Sequence, residues 1–508
     1  MDRGDESRAA ADREDAQGDM RVIIAGKLLR PGEPACVPGS VAIQAGRIAA
    51  AGSPDEIRSR FPNAAVCDLD DAVLCPAFAD RHLHLAELVQ REAAVDLSAC
   101  TDEAGLARAL ASGRRESTWT SGYGLDLHRF AGWSRHPRGL LDEAVPNRPC
   151  AIFSRDLHSL FANTQALAAA GLDASGDGHL AEDEGRPVRD ALSLPDGEAW
   201  QQALGRVASR LHAQGIVAVD DFSGLPVHAR LAVRAAELPL RIRSCIHLHE
   251  LDDPRAAGYA TGAGQGRLRC GPLKLFGDGS LGSRSAWMIA PYARSTDCGW
   301  SAFDDAELGA RVRLARSRGL CVALHAIGDA AVRQAARVLG AFAPLAPDRP
   351  DRIEHAQHLA PGDERLLAAA GLGACVNPVH MEADWQAADR LLGARAAGSY
   401  ALRSMLAAGI PLVFGSDAPV GETDPVAALR WAVLRQDARG RPAGGWHAEQ
   451  RIELAAALDC CWASWLRPGE AADLQALDRD PLALGAERLD ELHCLQVWLD
   501  GQARLGEG

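Results

Sequence analysis

No stretch of about 18 consecutive apolar residues occurs in this 508-residue chain, so no membrane-spanning helix is expected. Positive charge is also short: 54 Lys and Arg stand against 68 Asp and Glu, and the net charge of −14 gives a field that repels polyanions. A nucleic-acid partner would need a local basic patch, and none stands out. Cysteine pairing is missing too. The 13 cysteines include no Cys-x-x-Cys, and the adjacent Cys460 and Cys461 are too close for an ordinary disulfide framework. They read as reduced core thiols of a cytoplasmic protein. The opening MDRGDESRAAADREDAQGD lacks the apolar run of a signal peptide and is almost wholly polar or alanine. Residues 1–19 are therefore expected to form a disordered tail, with Met20 as an alternative start. Aromatics are few, at 5% of the chain, so the sequence alone places no aromatic wall around a ligand.

What is present is ordinary for a globular protein: 47% hydrophobic and 24% charged residues, enough to bury a large core. A small molecule is the expected partner, with neither nucleic acid nor membrane. The length exceeds one ordinary domain, yet a barrel with insertions absorbs as much around a single core.

Short apolar or alternating segments open the chain after Met20 (RVIIAGKLL, SVAIQAGRIAAAG, AAVCDLDDAVLCPAF), and similar ones close it (AADLQALD, LHCLQVWLDGQ). We expect residues 20–75 and 466–505 to pair into one small β-sandwich. Between them, over 76–465, eight strand-like segments alternate with helix-compatible stretches rich in Ala, Leu and Arg, the pattern of a (β/α)8 barrel. They are AVLCPAFADRHLHL (72–85), GIVAVDDF (215–222), LRIRSCIHLH (240–249), GPLKLFGDG (271–279), LCVALHAIGD (320–329), DRIEHAQHL (351–359), GACVNPVH (373–380) and IPLVFGSDAPV (410–420). About 130 residues separate the first two, too many for one crossover. Residues 90–205, roughly, are read as an inserted subdomain covering the active-site mouth, with strand-like PCAIFSRD and helical TQALAAAG inside it.

Barrel enzymes work at the C-terminal ends of their strands. Those ends carry His82 and His84 on the first strand, Lys274 on the fourth, His325 on the fifth, His355 on the sixth and Asp417 on the eighth. Imidazole and carboxylate donors suit zinc and similar divalent ions, and alternate residues of a strand face one side, so His82 and His84 can chelate together. With 16 His in the chain, roughly half a His-x-His match arises by chance, and His247 and His249 form a second one. The weight of the first pair comes from the four other ligand-type residues at strand ends.

These segments carry a resemblance to the amidohydrolase superfamily, in its YtcJ-like, amidohydrolase-3 branch, which includes N-substituted formamide deformylases. The matching stretches are PAFADRHLHL, LKLFGDGSLGSRSA, LHAIGDAAV, RIEHAQ, and FGSDAPV with Asp424-Pro425; DLHSLFANTQALAAAGL resembles the branch's insertion and RPGEAADLQALDRDP its closing β unit. Two departures are PAF in place of the frequent Pro-Gly-Phe and a short segment between Trp446 and Pro468. The resemblance implies one or two divalent metals, zinc foremost. His82, His84 and Asp417 would hold one; His325 and His355 would hold a second or the substrate; and Lys274 would bridge as a carboxylated lysine. The alternative for Lys274 is a point charge that contacts a substrate carboxylate or phosphate. The implied activity is hydrolysis of an amide, formamide or cyclic amide through a metal-activated hydroxide, with Asp417 as general base and acid.

Other readings stay open at this level. The same metal site could cleave a lactone, carbamate or phosphoester. Gly277-Asp-Gly-Ser-Leu-Gly282 satisfies the Gly-x-Gly-x-x-Gly nucleotide fingerprint after a strand, but Pro291 follows too soon for the required helix, which weakens an oxidoreductase reading. A metal-free binding protein would not need the full ligand set. Asp278, Ser283 and Arg284 in that loop, and His158 in the insertion, are candidate substrate contacts. Homodimerisation, common among such barrels, is a further expectation.

Overall fold

The computed structural model describes residues 21–112, 118–127, 129–133, 136–154, 159–346 and 350–504. The expected N-terminal tail and His158 lie outside the described residues. The chain divides into two compact units, one spanning Leu85–Ala208 and the other comprising residues up to His84 and from Ser209 onward.

In the larger unit, eight parallel strands form one sheet in sequential order: β1 (Phe78–Leu83), β2 (Ile216–Asp221), β3 (Arg241–His247), β4 (Leu268–Phe276), β5 (Val322–Ala326), β6 (Arg352–His355), β7 (Gly373–Val376) and β8 (Leu412–Phe414). Strands buried on both faces read as continuous apolar runs, and all six residues of β2 are buried. The last strand returns to the first: Leu83 bridges Ala418, and Asp417 N–H donates to the His82 carbonyl at 2.6 Å. This is a TIM-like barrel, nearly closed. Helices such as Asp305–Ser317, started by an Asp304/Glu307 capping box, and Asp329–Leu339 connect successive strands.

The segment at 72–85 serves two sheets. Val73–Pro76 joins a second eight-stranded sheet, and β1 begins two residues later. Strands from both chain ends hydrogen-bond in that second sheet, where Leu474–Leu477 lies antiparallel to Val73–Pro76, which in turn pairs with Arg21–Leu28. Ile23, Leu28, Val41, Ile48, Leu74, Leu474 and Trp498 share one core, so the two ends bury their apolar faces together. Arg241 at the start of β3 ties this sheet to the barrel through Asp473 (2.7 Å) and Asp500 (2.6 Å).

The smaller unit, which contains the stretch read as inserted, has its own five-stranded sheet. PCAIFSRD supplies its strand Cys150–Ser154, and TQALAAAG supplies the helix Thr164–Ala169, capped by Asn163.

Candidate metal centre

β1 delivers His82, fully buried, and His84 sits just past its end, a quarter exposed. Both reach Asp417: His84 Nε2 lies 3.1 Å and His82 Nε2 3.4 Å from Asp417 Oδ1. The three donor atoms fall within 4.8 Å of one another, a group able to hold a metal ion. This closeness depends on Gly415. A Cβ there would sit 2.6 Å from the His82 backbone nitrogen and Cβ, so any larger residue would push β8 off β1.

The remaining strand-end residues converge on the same place. His355 packs 5.1 Å from His82 and 4.5 Å from His325, between ring centroids. Lys274 is buried, with its Nζ 4.7 Å from the Phe222 ring centre and 5.1 Å from that of Phe276. No carboxylate pairs with it among the described residues. The six ligand-type residues expected from the sequence therefore surround one space, whereas the second His-x-His joins no metal-ligand group among the described residues although His247 is the register partner of Lys274. His247 Nε2 instead bonds the Phe222 carbonyl at 3.0 Å.

Hydrogen bonds decide which imidazole nitrogen is free. His82 Nδ1–H donates to Glu354 Oε2 at 2.6 Å, leaving Nε2 as the ligand atom. Asn377 donates its amide to the Gly415 carbonyl, so its Oδ1 accepts from His355 Nδ1–H at 2.8 Å and leaves His355 Nε2 free. His325 Nε2–H donates to the Gly279 carbonyl at 3.2 Å, which leaves Nδ1. Burial, reinforced by the charge of Lys274, pushes His82 down to about 4 and His325 to about 3. Burial and the neighbouring His325 hold His355 well below its ordinary value. All three are thus neutral and carry a lone pair at pH 7. Burial alone would raise Asp417, but the hydrogen bond from His84 and the surrounding imidazoles keep it well below the usual carboxylate range. Neutral imidazoles converging on an ionised carboxylate are the donor chemistry of a divalent metal site. Asp417 (φ 58°) and His355 (φ 75°) both hold left-handed backbone, which costs a non-glycine residue about 1–3 kcal/mol. Both strands therefore end in strained turns that carry a site residue.

Other candidates are placed differently. The Asp278 carboxylate is fully buried and accepts from the amides of Trp287, Ile327 and Gly328, so it organises the loops after β4 and β5 and offers no open face to a substrate. Burial raises it to about 7 despite those bonds. Ser283 is exposed and bonds the hydroxyls of Ser280 and Ser285, and Arg284 is exposed with φ 57°. Of that loop's glycines Gly277 is buried and only Gly282 lies in an exposed turn, and the next helix does not begin until Asp305.

Several partners carry no simple sequence signal. Glu354 is gripped by Arg352 at 2.6 Å, and Arg352 also reaches Asp220 at 3.0 Å. Asp80 accepts from the backbone amides of His82 and Ser416, splinting β1 to β8. His380 forms a second possible metal group with His355 and Asp417. Asn377 and His380 follow β7 directly, so extending the strand-end search to polar residues of that strand finds both.

A parallel barrel with imidazoles and a carboxylate converging at its strand ends is the frame of a metal-dependent enzyme. The chain belongs to the amidohydrolase family, whose model matches residues 65–504. It is 26% identical over 516 residues to YtcJ of Bacillus subtilis (strain 168), which carries the name of an amidohydrolase; the match covers 91% of this chain and 95% of that protein. It is 25% identical over 524 residues to the N-substituted formamide deformylase of Arthrobacter pascens, covering 92% and 94%. Among solved structures, an uncharacterised metal-dependent hydrolase from Pyrococcus horikoshii OT3 superposes with a TM-score of 0.79 at 25% identity, covering 92% of this chain and 99% of that one. The protein is an enzyme, a hydrolase of the amidohydrolase class. Among the described residues no helix is long and apolar enough to cross a membrane.

Proposed function

We propose that the enzyme hydrolyses a C–N bond in an amide, formamide or cyclic amide of a small molecule. The convergence of His82 and His84 on Asp417, in a chain of this family, carries the reading. One of its relatives is named for deformylating N-substituted formamides. In this reading His82, His84 and Asp417 hold one zinc ion, and His325 and His355 hold a second or meet the substrate.

Lys274 would join them as a carbamate. The chain has 54 basic residues, yet only Lys27 and Lys274 are lysines. Arginine supplies charge everywhere else, so lysine at 274 points to chemistry a guanidinium lacks: a neutral amine that adds CO2 and releases a proton to become an anionic ligand. Burial lowers the Lys274 pKa and favours that neutral amine.

A divalent ion held by these residues would supply Lewis acidity for the hydrolysis. Asp417, ionised and 3.1 Å from His84, takes the proton of the attacking water and passes it to the leaving nitrogen. Glu354 and Asn377 hold the imidazoles of His82 and His355 in the tautomers the ligand role needs. Phe222, stacked on His82 at 3.9 Å, excludes water from beneath.

The test is metal analysis of the purified enzyme followed by an assay panel of N-substituted formamides, open-chain amides, cyclic amides, lactones, carbamates and phosphate monoesters. Cleavage confined to lactones, carbamates or phosphoesters overturns the C–N assignment. In 13C-bicarbonate NMR, a carbamate resonance should survive in Lys27→Arg and vanish in Lys274→Arg.

A further inference from the structure

At the opposite end of the barrel from the metal centre, a cavity of about 330 Å³ opens among the strand starts. Val322, Arg352 and Gly373, the first residues of β5, β6 and β7, line it, together with Arg81 and Arg243. Its charged lining is one-sided: among the described residues, three arginines face it and no carboxylate does. The acids that serve these arginines lie behind the wall. Asp220, 2% exposed, takes both Arg243 Nε (3.0 Å) and Arg352 Nη1 (3.0 Å), and stands 3.8 Å from Arg81 Nη1. Glu354, fully buried, takes Arg352 Nε.

Three guanidiniums thus share two carboxylates, and their donors are not used up. Arg243 spends Nε and Nη2 on Asp220, and its side chain remains 41% exposed with Nη1 unbonded among the described residues. Arg81 gives one nitrogen to the Trp462 carbonyl and keeps a side-chain exposure of 24%. A guanidinium presents its donors in a planar fork that matches two oxygens of one anion. The space exceeds what a single halide fills.

We propose that this cavity is a binding site for a small molecule bearing an oxyanion, a phosphate or carboxylate group, held by Arg81 and Arg243 over the charge of Arg352. The bound anion neutralises the excess guanidinium charge, and the remaining volume takes the organic part of the ligand. The site is separate from the reaction centre and rests on no assumption about the substrate hydrolysed there.

Isothermal titration calorimetry on the metal-loaded enzyme, in chloride-free buffer, tests it with inorganic phosphate, glycerol 3-phosphate and butyrate as probes. At least one probe should bind the wild type, weaken as ionic strength rises, and lose about tenfold or more in affinity in Arg243→Gln, the cost of one charge-assisted hydrogen bond. The phosphate and butyrate arms identify which oxyanion the site prefers. Metal content should be the same in both proteins, because Arg243 touches no metal-centre donor. Equal affinity in wild type and variant, or no binding of any probe at millimolar concentration, overturns the proposal. Because Arg243 also anchors Asp220, wild-type crystals soaked in selenate give an arm that needs no variant. An anomalous peak among the three arginines supports the site, and peaks only elsewhere or none reject it.

Discussion

His82 Nδ1 lies 2.6 Å from Glu354 Oε2, and both side chains are fully buried although 272 residues separate them in the chain. Glu354 sets the tautomer of His82, while Arg352 holds Glu354 well below the usual carboxylate range against a burial that would raise it. Replacing Glu354 with Gln removes the charge that makes His82 a basic ligand. Metal affinity should fall about 10–100-fold. Competition with a chelator, read by metal analysis, measures this, with circular dichroism confirming a folded variant.

Asp417→Asn keeps an oxygen at the ligand position but cannot carry a proton between water and nitrogen. Metal content should be preserved and kcat should drop about 10²–10⁴-fold. Wild-type turnover by this variant would refute the proposed role.

Gly415→Ala places a methyl group 2.6 Å from the His82 backbone. The strand must shift, so the distance between His82 and Asp417 grows. The expected result is a lower thermal midpoint together with reduced metal content, whereas an equally conservative change at an open glycine such as Gly205, whose Cβ would meet nothing within 4 Å, should alter neither through a clash. Differential scanning calorimetry and metal analysis compare the two.

The stability of the metal-free enzyme should decline as pH falls below about 6.5, the ordinary histidine pKa. Buried His82 is held near 4 and His325 near 3, so between those values and 6.5 the unfolded chain takes up protons that the native state refuses. That difference drives unfolding until pH passes below the folded values. Asp80, raised to about 6, and Asp278, raised to about 7, act in the opposite direction because the native state binds more protons there. Asp329 and Asp384 are also raised, but lowered histidines outnumber these acids, with His212, His228, His247, His355 and His358 adding to the first two. Urea midpoints measured from pH 7.5 to 5 should therefore fall. A flat or rising series would contradict the neutral, buried state of the imidazoles.

The barrel strands and the six strand-end residues were legible because both signals are local. An apolar run followed by a histidine or aspartate is read within ten residues, and a parallel barrel brings its strand ends to one face wherever they fall in the chain. The use of lysine at only two positions is equally plain in the sequence and points to Lys274. The same locality misleads at Asp278. Its place in a glycine-rich loop suggests an open contact, whereas folding spends its carboxylate on amides contributed by Ile327 and Gly328, about fifty residues later.

By itself, then, the sequence determined the strand order, the family and the donor types available to a metal. Tertiary structure alone decided which nitrogen of each imidazole is free, since Glu354 reaches His82 across the barrel while Asn377 and the Gly279 carbonyl reach His355 and His325 from the ends of neighbouring strands. It also decided that Arg81, Arg243 and Arg352 share one cavity, because three arginines on three different strands become neighbours only when the sheet curls. Hydrogen bonds and charge act over a few ångströms of space, and the chain sets those distances only once it has folded.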